Sequence, residues 1–410
     1  MTTTLKPRDR DELRDTVAWA LNDGKTLEIV GAASKRALGR PVVADHGLDL
    51  SGIAGVVEYQ PEELVITVRA GTPMREVEAL LAQRNQMLAF EPPDLGPLLG
   101  GVAEASTLAG AVLCNLAGPR RLSAGAARDH LLGFSAVNGR GEIFKSGGKV
   151  MKNVTGYDLS KLMAGSFGTL AALDEINVKV LPAPDKTRTL LLFGLADADA
   201  IAAMALAMGS PHEVSGAAHL PADAARRSAV GYVAKAGGSA TALRLEGVGP
   251  SVEARLTGLR DLLTPVVAAK GGAVEELHTM NSRALWRELR DVTLLGAASD
   301  ALVWRLSCPP SEGAAVVARI RAVRPDVGAI YDWAGGQIWL SLPPTADADH
   351  ALVRAALAAC GGHATLIRAP GAVRAAVPVF QPQAPALAAL AWRVKESFDP
   401  RGVFNPGRMG

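Results

Sequence analysis

Glycine recurs through residues 147–170 more densely than an ordinary helix or strand tolerates, and this segment constrains the fold more than any other. The glycines are Gly147, Gly148, Gly156, Gly165 and Gly168. Each glycine inside a helix costs about 1 kcal/mol relative to alanine, so the segment needs a compensating role. Because glycine lacks a side chain, its backbone can approach a flat or charged group closely. We therefore expect a loop whose main chain contacts such a group.

A second loop of small residues follows a short strand that we expect at residues 27–30. The loop consists of Gly31, Ala32, Ala33, Ser34 and Lys35. Successive N–H groups in such a loop can bind an anion, and the Ser34 hydroxyl could add a donor. The loop has neither the GxGxxG nor the GxxxxGK[ST] spacing, so a plain turn explains it equally well when it is taken alone. The two loops together suggest a bound dinucleotide.

A third segment of small residues lies at residues 106–118. Ser106, Thr107, Gly110 and Gly118 would let a cofactor lie against the backbone, although tight packing of a buried element is an equally good interpretation. Cys114, in the same segment, could tether a cofactor covalently. A single cysteine in an apolar setting is more often a small buried hydrophobic residue, and we favour that interpretation.

The composition favours a large folded core over disorder or nucleic-acid binding. A chain of 410 residues is long enough for two or three domains. Hydrophobic residues make up 49% of it and charged residues 20%, which argues against extensive disorder. The 43 basic and 41 acidic residues nearly balance, and no basic stripe stands out, so we expect no nucleic-acid partner.

The cysteines and the apolar segments indicate a chain in a reducing compartment. Cys114, Cys308 and Cys360 lie far apart, which fits neither a disulfide framework nor a zinc site. Without a CxxC motif, the chain is not expected to bind an iron–sulfur cluster by itself. Residues 1–15 lack the apolar core of a secretory signal, and glycine and aspartate interrupt the apolar stretch at 190–208. We expect a cytoplasmic chain, peripheral at the inner membrane only through a complex.

The secondary-structure pattern predicts an α+β fold. Apolar residues at helical spacing predict an amphipathic helix at residues 8–24, and residues 138–141, Asn-Gly-Arg-Gly, predict a hairpin. Alternation of apolar and polar residues predicts a strand at residues 176–181, which Pro182 ends. Strands and helices alternate over residues 190–368, which indicates a second α+β domain.

Several segments resemble the PCMH-type FAD-binding domain of the vanillyl-alcohol oxidase family. Residues 152–159 and 165–170 resemble its glycine-rich segment, and residues 31–35 resemble its pyrophosphate loop. Residues 107–110 resemble the second cofactor loop of the family, and residues 399–408 resemble its closing motif.

Three further motifs resemble the FAD-binding subunits of bacterial three-subunit glycolate oxidases in particular. They are Gly39-Arg40-Pro41, Glu91-Pro92-Pro93 and residues 116–121. The resemblance covers residues 1–182 and 376–410, and it is thin between them. The four motifs of the vanillyl-alcohol oxidase family occur here in the family's order. Together they indicate the family more specifically than any one of them does.

The resemblance implies a PCMH-type two-subdomain FAD-binding domain at residues 1–182 and an inserted α/β cap or interaction domain at residues 183–375. It implies that residues 376–410 return to the first domain and that FAD is the cofactor. The residues that it assigns to FAD binding are Gly31, Ala32, Ala33, Ser34, Lys35, Thr107, Gly110, Asn115, Gly118, Asp129, Gly156, Tyr157, Gly165, Ser166, Gly168, Thr169 and Ile176.

The chain departs from the family at positions that matter for chemistry. Many relatives carry a histidine beside the pyrophosphate loop that bonds to the flavin, whereas this loop has Ala33 and Ser34, so we expect noncovalent FAD. The seven histidines show no paired-histidine metal site, so we expect no metal, and His363 is interpreted as a loop or core residue. No nucleophile–base pair is visible and no catalytic residue is assigned. Lys152 and Arg128 are the nearest charges that could tune the flavin.

The resemblance implies an FAD-binding subunit of a complex that oxidises glycolate to glyoxylate, in which this chain relays electrons or supports assembly. Its partners would be a second FAD-containing catalytic subunit and an iron–sulfur subunit. Two alternatives remain open: a self-sufficient FAD-dependent oxidoreductase of another alcohol or 2-hydroxy acid, and a non-catalytic interaction subunit. The sequence also predicts that Gly168→Val abolishes FAD retention because the valine blocks the approach of the backbone to FAD.

Overall fold

The computed structural model describes residues 3–148, 156–296 and 298–409. Its strands are β1 (Thr4–Leu5), β2 (Leu27–Val30), β3 (His46–Asp49), β4 (Val56–Gln60), β5 (Val65–Arg69), β6 (Gln86–Met87), β7 (Leu131–Asn138), β8 (Ile143–Gly147), β9 (Ala171–Lys179), β10 (Leu181–Pro182), β11 (Lys186–Phe193), β12 (Gly216–Leu220), β13 (Ala240–Gly247), β14 (Ala273–Leu277), β15 (Leu302–Ser307), β16 (Gly328–Asp332), β17 (Gln337–Leu342) and β18 (His363–Arg368).

The α-helices are α1 (Arg10–Asn22), α2 (Met74–Ala82), α3 (Leu108–Leu113), α4 (Arg121–Ala124), α5 (Ala127–His130), α6 (Leu159–Met163), α7 (Asp197–Met208), α8 (Ala222–Ala225), α9 (Gly231–Ala234), α10 (Gly249–Ala268), α11 (Thr279–Arg290), α12 (Gly313–Arg321), α13 (His350–Ala358), α14 (Gly371–Ala376) and α15 (Pro385–Phe398). Single 3₁₀ turns lie at Leu50–Gly52, Thr293–Leu295, Pro310–Glu312 and Trp333–Gly335. Within the described residues, none of these helices has both the length and the apolar character needed to cross a bilayer.

The chain divides into two compact units. The first unit combines Met1–Ala117, Gly125–Pro182 and Pro382–Gly410, and the second combines Gly118–Ala124 and Ala183–Gln381. The C-terminal tail therefore folds with residues 1–117 and 125–182. A short segment between α3 and α5 folds with the second unit, which the sequence did not predict.

The first unit contains a short antiparallel pair, β6 and β10, and two larger sheets of different kind. One is an antiparallel sheet of five strands in the order β4-β5-β9-β7-β8, and the other is a parallel sheet in the order β1-β3-β2. In the larger sheet, Ile66 and Phe134 pack with Val77 of α2. Beside the parallel sheet, Leu13 of α1 packs with Phe404 of the tail.

Helix α1 forms where its sequence predicts a helix. The Asp9 side chain accepts a hydrogen bond from the Glu12 N–H at 2.9 Å and caps the first turn. Leu13, Val17 and Ala20 recur at helical spacing and are all buried. The helix expected at residues 8–24 is confirmed, with its ends two residues inside the predicted bounds.

The predicted hairpin is present between β7 and β8. The Asn138 Oδ1 atom accepts hydrogen bonds from the Arg140 N–H at 2.9 Å and the Glu142 N–H at 3.0 Å, which closes the turn. The strand expected at residues 176–181 begins earlier, as β9. Because β9 lies between β5 and β7, its first four residues are buried on both faces and show no alternation to signal a strand.

The second unit is built on one antiparallel sheet of eight strands in the order β14-β11-β13-β12-β16-β17-β15-β18. Helices α7, α10, α12 and α13 contribute buried side chains to a core with this sheet, among them Met204, Leu259, Val317 and Val353. Trp286 of α11 is also buried and donates its Nε1–H to Thr189 Oγ1 at 2.8 Å. The expected α+β class is confirmed.

Candidate cofactor site

A cavity in the first unit is lined by the loop after β2, helix α3, the turn at residues 167–168 and the C-terminal tail. The predicted site residues that line it are Gly31, Ala32, Ala33, Ser34, Lys35, Thr107, Gly110 and Gly168. The lining residues that the sequence-based assignment omitted include Arg36, Cys114, Phe167, Asn405 and Arg408. The structure thus brings three predicted loops together and adds the tail to them.

The loop after β2 turns sharply where it enters the cavity. Ala33 has a φ of +54°, a left-handed conformation that is costly for alanine, and its carbonyl accepts the Arg36 N–H at 3.0 Å. A Cβ atom at Gly31 would lie 3.0 Å from Thr107 Oγ1. The loop therefore lies so close to the start of α3 that a side chain at this position would require Thr107 to shift.

Thr107 begins α3 and faces the same loop. Its Oγ1 atom accepts a hydrogen bond from the Gly110 N–H at 3.2 Å, which caps the helix. A Cβ atom at Gly110 would approach the same oxygen to 2.9 Å. Gly31 and Gly110 thus keep both sides of the Thr107 side chain clear.

The C-terminal tail closes the cavity through Asn405. The Asn405 Oδ1 atom accepts the Ile29 N–H of β2 at 2.8 Å, and its Nδ2 atom donates to the Phe167 carbonyl at 2.8 Å. Phe167 and Asn405 have φ values of +54° and +42°. Strained non-glycine residues cluster at functional sites, and together with Ala33 three of them line this cavity.

Gly168 lines the cavity and also lies against the C-terminal tail. Gly168 has a φ of +68°, and a Cβ atom there would lie 2.8 Å from Asn405 Nδ2. A valine would therefore first displace the tail and strain the backbone. This clash inside the protein adds to the expected block between the backbone and FAD, which stays a prediction.

Lys35 is a buried cation at the cavity. The residue is 9% exposed, and its Nζ atom donates to the neutral hydroxyls of Ser106 and, at 3.3 Å, Ser34. Burial disfavours the ammonium and lowers the pKa of Lys35 below its usual value. Its hydrogen-bond partners are neutral, and the nearby Cys114 and Asp94 offset only part of that cost.

Arg408 is a second buried cation at the cavity, and it comes from the tail. It is 8% exposed, and its Nη2 atom donates to the Lys35 carbonyl at 2.9 Å. Its Nε atom is buried and has no hydrogen-bond partner in the described part of the chain, and burial lowers the pKa of the guanidinium. Sequence reasoning assigned Arg408 only to the closing motif, because its contact with Lys35 joins residues 373 positions apart.

Five of the other predicted site residues have structural positions outside the cavity lining. Asn115 Oδ1 accepts the Arg128 N–H at 3.1 Å, and Asp129 Oδ2 accepts the Ala126 N–H at 2.9 Å. Ile176 is a fully buried core residue of β9. The remaining two, Gly156 and Tyr157, are exposed.

Of the last four predicted site residues, three lie in the turn before β9 in the first unit, and one lies in the second unit. The Gly165 N–H donates to the Leu113 carbonyl at 3.0 Å, and Thr169 Oγ1 donates to the Ser166 carbonyl at 2.7 Å, so these residues shape the turn before β9. Gly118 belongs to the second unit, where its carbonyl accepts the Trp333 Nε1–H at 3.1 Å.

Two further expectations concern charges and metals. Lys152 falls among residues 149–155, outside the described residues, and Arg128 does not line the cavity. In the described part of the chain, no three His, Cys, Asp or Glu side chains are placed to hold a metal ion. Cys114 lines the cavity and is half-buried, so it is more accessible than a core cysteine.

Sequence comparison identifies relatives of the chain. Residues 2–147 match the FAD binding domain family. Glycolate oxidase subunit GlcE of Escherichia coli is 35% identical over 401 residues, which cover 97% of this chain and 96% of that protein. Glycolate oxidase subunit GlcD of Bacillus subtilis is 36% identical over 136 residues, 33% of this chain and 27% of that protein.

Solved structures share the fold at low identity. p-Cresol methylhydroxylase with substrate bound has a TM-score of 0.69 at 13% identity, with 99% of this chain and 88% of that chain covered. Alkyldihydroxyacetonephosphate synthase also has a TM-score of 0.69, at 15% identity, with 98% and 75% covered. The PCMH-type fold expected from the sequence is confirmed, and the chain belongs to the family of glycolate oxidase subunit GlcE, with an FAD binding domain at its N-terminus.

Proposed function

We propose that this chain is the FAD-binding subunit of a complex that oxidises glycolate to glyoxylate. The observation that carries the proposal is the identity with GlcE along nearly the whole of both chains. The first unit would be the FAD-binding domain, and the second unit would be the cap or interaction domain.

The cavity residues fit a dinucleotide cofactor. Gly31 and Gly110 carry no side chain where the loop after β2 meets α3, and the buried Arg408 Nε–H has no acceptor among the described residues. Lys35 and Arg408 would hold the diphosphate, and backbone N–H groups of the loop would contact it. When bound, FAD would supply the capacity to accept and pass on electrons.

We propose that FAD is held without a covalent bond. No histidine is among the described residues that line the cavity, and the loop position next to Lys35 is Ser34. Cys114 contributes a thiol to that lining, and its sulfur would be the atom to examine if a bond to the flavin were found.

We propose that the chain works with a GlcD-like subunit carrying its own FAD and with an iron–sulfur subunit. The name of the GlcE relative supports membership of a multi-subunit oxidase. The N-terminal half of α15 supports it independently, because it is apolar and exposed: Leu387 is 53% exposed, Leu390 48% and Trp392 66%. A helical segment that is apolar on all sides is ordinarily buried, so we assign the contact with this half of α15 to the GlcD-like subunit.

Purification of the chain alone and with both proposed partners tests this function. Alone, the chain should bind FAD and turn yellow, but glycolate should not bleach its flavin. With the partners, glycolate should reduce an artificial electron acceptor, and the complex should contain iron. Rapid bleaching of the isolated chain by glycolate would support the self-sufficient oxidoreductase instead, and a colourless chain that refuses added FAD would support the non-catalytic alternative.

A further inference from the structure

The three cysteines have different environments, and Cys114 is the one found among the described residues that line the cofactor cavity. It is half-buried, whereas Cys308 and Cys360 belong to the second unit. Cys308 is 9% exposed, and burial raises the pKa of its thiol to about 11, so its reactive thiolate is scarce at neutral pH. Cys360 is half-buried like Cys114 and provides a natural comparison. A reagent that enters the cavity therefore meets the Cys114 thiol.

Two cations lie near the Cys114 sulfur. A Cβ atom at Gly110, one helical turn before Cys114, would lie 3.9 Å from Lys35 Nζ, which places this ammonium beside α3. Burial lowers the pKa of both Lys35 and Arg408, and a negative charge on the Cys114 sulfur opposes that shift in both. Because positive neighbours favour the reactive thiolate of a cysteine, the position suits attack by this sulfur.

A buried hydrogen-bond donor in the same cavity independently indicates a ligand. Arg408 is 8% exposed, and its Nε–H has no acceptor in the described part of the chain. No Asp or Glu is among the described lining residues, although Asp94 and Glu28 offset part of the positive charge from outside the lining. The cavity therefore favours anionic molecules, and Cys114 lines the space that such a molecule would enter.

We propose that Cys114 is a modification site that controls the loading of FAD. In the FAD-free chain (the apo-chain), an anionic low-molecular-weight disulfide converts this thiol to a mixed disulfide, and the attached group then excludes the dinucleotide. Bound FAD, in turn, shields the thiol. The inference rests on the proposed FAD-binding function and adds a regulatory reaction to it.

The reaction is a thiol–disulfide exchange. The Cys114 thiolate attacks one sulfur of the small disulfide, whose S–S bond breaks while a new S–S bond to Cys114 forms. The other half leaves as a thiolate and takes up the proton that Cys114 released. The small disulfide is both the oxidant and the source of the attached group, and a small thiol reverses the exchange.

The rate of modification of the full-length apo-chain tests the reaction and its charge preference. Peptide mass spectrometry would follow Cys114 and Cys360 with oxidised glutathione, which is anionic, and with cystamine, which is cationic. Relative to Cys360, Cys114 should react about tenfold faster with oxidised glutathione than with cystamine at low salt, and high salt should shrink this preference. FAD at about 100 times its Kd should slow the modification of Cys114 about tenfold or more and that of Cys360 less than twofold.

The effect of modification on FAD binding tests the control of loading. Treatment of the wild-type apo-chain with oxidised glutathione should raise the Kd for FAD about tenfold or more, because the attached group occupies the cavity. Reduction with dithiothreitol should return it to within twofold of the untreated value. In Cys114→Ser, the same treatment should change the Kd less than twofold relative to the untreated variant. Cys360→Ser is the matched control and should keep the full response of the wild type.

Three results would overturn the proposal: Cys114 that does not react in the apo-chain, Cys114 that reacts equally fast with and without saturating FAD, or a modified chain that binds FAD within twofold of the untreated chain. Equal preference for the anionic and cationic disulfides at low salt would overturn the selection by charge. An untreated wild-type chain that does not bind FAD would instead overturn the proposed function.

Discussion

At the scale of single residues, Asn405 ties together segments that are far apart in the chain. It joins β2 through Ile29 and the turn before β9 through Phe167, and Gly168 leaves the space in which its amide group lies. A change at Gly168 or Asn405 should therefore act on the same contact.

We expect Gly168→Ala to lower the free energy of unfolding of the first unit by at least about 1 kcal/mol, because the new Cβ meets Asn405 and alanine is strained at this φ. Denaturant unfolding of the apo-chain measures this free energy. Gly402→Ala is the matched control, since Gly402 has a φ of +65° and no atom within 4 Å of a new Cβ. The double variant Gly168→Ala/Asn405→Ala should cost less than the two single variants added together, and strict additivity would contradict the shared contact.

Release of flavin on denaturation is a second prediction at this scale. Acid precipitation of the FAD-loaded chain should leave the flavin in the supernatant, because no histidine is among the described lining residues. Absorbance of supernatant and pellet measures it. Flavin in the pellet would contradict noncovalent binding, and Cys114→Ala would then show whether the thiol forms the bond.

At the scale of elements, the two halves of α15 have different environments. Val394 and Phe398 pack against the core of the first unit, and Lys395 donates to the Thr169 carbonyl at 2.5 Å. Residues 385–392 carry no charge and are exposed. The C-terminal half therefore anchors the helix, and the N-terminal half is free to contact another subunit.

We expect Leu390→Glu to change the stability of the isolated chain by less than about 0.5 kcal/mol, because the residue is exposed. The same change should prevent co-purification with the GlcD-like subunit, since it places a charge in an apolar interface. Size-exclusion chromatography of the co-expressed subunits shows whether the two still form a complex. Glu396→Ala, at an exposed polar position of the same helix, should leave the complex intact. An intact complex with Leu390→Glu would place the interface elsewhere.

At the scale of the whole molecule, an ionic network holds a distant segment of the chain in the second unit. Arg120 donates two hydrogen bonds to Glu246, at 2.9 and 3.0 Å, and Arg244 lies 3.3 Å from the same carboxylate. Burial opposes ionisation of Glu246, but the two arginines and the hydrogen bond from Ser215 outweigh it and lower its pKa to about 2. The carboxylate therefore stays charged in the fold at any pH above that value.

This network predicts how the stability of the second unit depends on pH. Because the pKa of Glu246 is lower in the folded than in the unfolded chain, its contribution is complete above about pH 4.5 and is lost as the pH falls toward about 2. At neutral pH, Glu246→Gln should cost about 3–5 kcal/mol because it removes the negative charge that faces two buried arginines. Denaturant unfolding followed by tryptophan fluorescence measures the difference, which should shrink as the pH falls. A constant difference between pH 7 and pH 3 would contradict this assignment.

Short-range features of the fold could be predicted because neighbouring residues encode them. Helix α1 has its cap and apolar positions within thirteen residues, and Asn138 closes the hairpin within four. The loop at residues 31–35 likewise follows from small residues placed directly after a strand. Central strand β9 was predicted short because burial on both faces removes the alternation that marks a strand.

The sequence by itself determined the loops, their order and the family of the chain. Only the tertiary structure decided that Arg408 meets Lys35 and that Asn405 meets Ile29, across 373 and 376 positions. It also placed Asn115, Asp129 and Ile176 outside the lining of the cavity. The physical reason is that the periodicity of side chains and backbone relates residues that are only a few positions apart. A contact between the C-terminal tail and the loop after β2 depends instead on how the sheets pack and on where the tail comes back to the first unit.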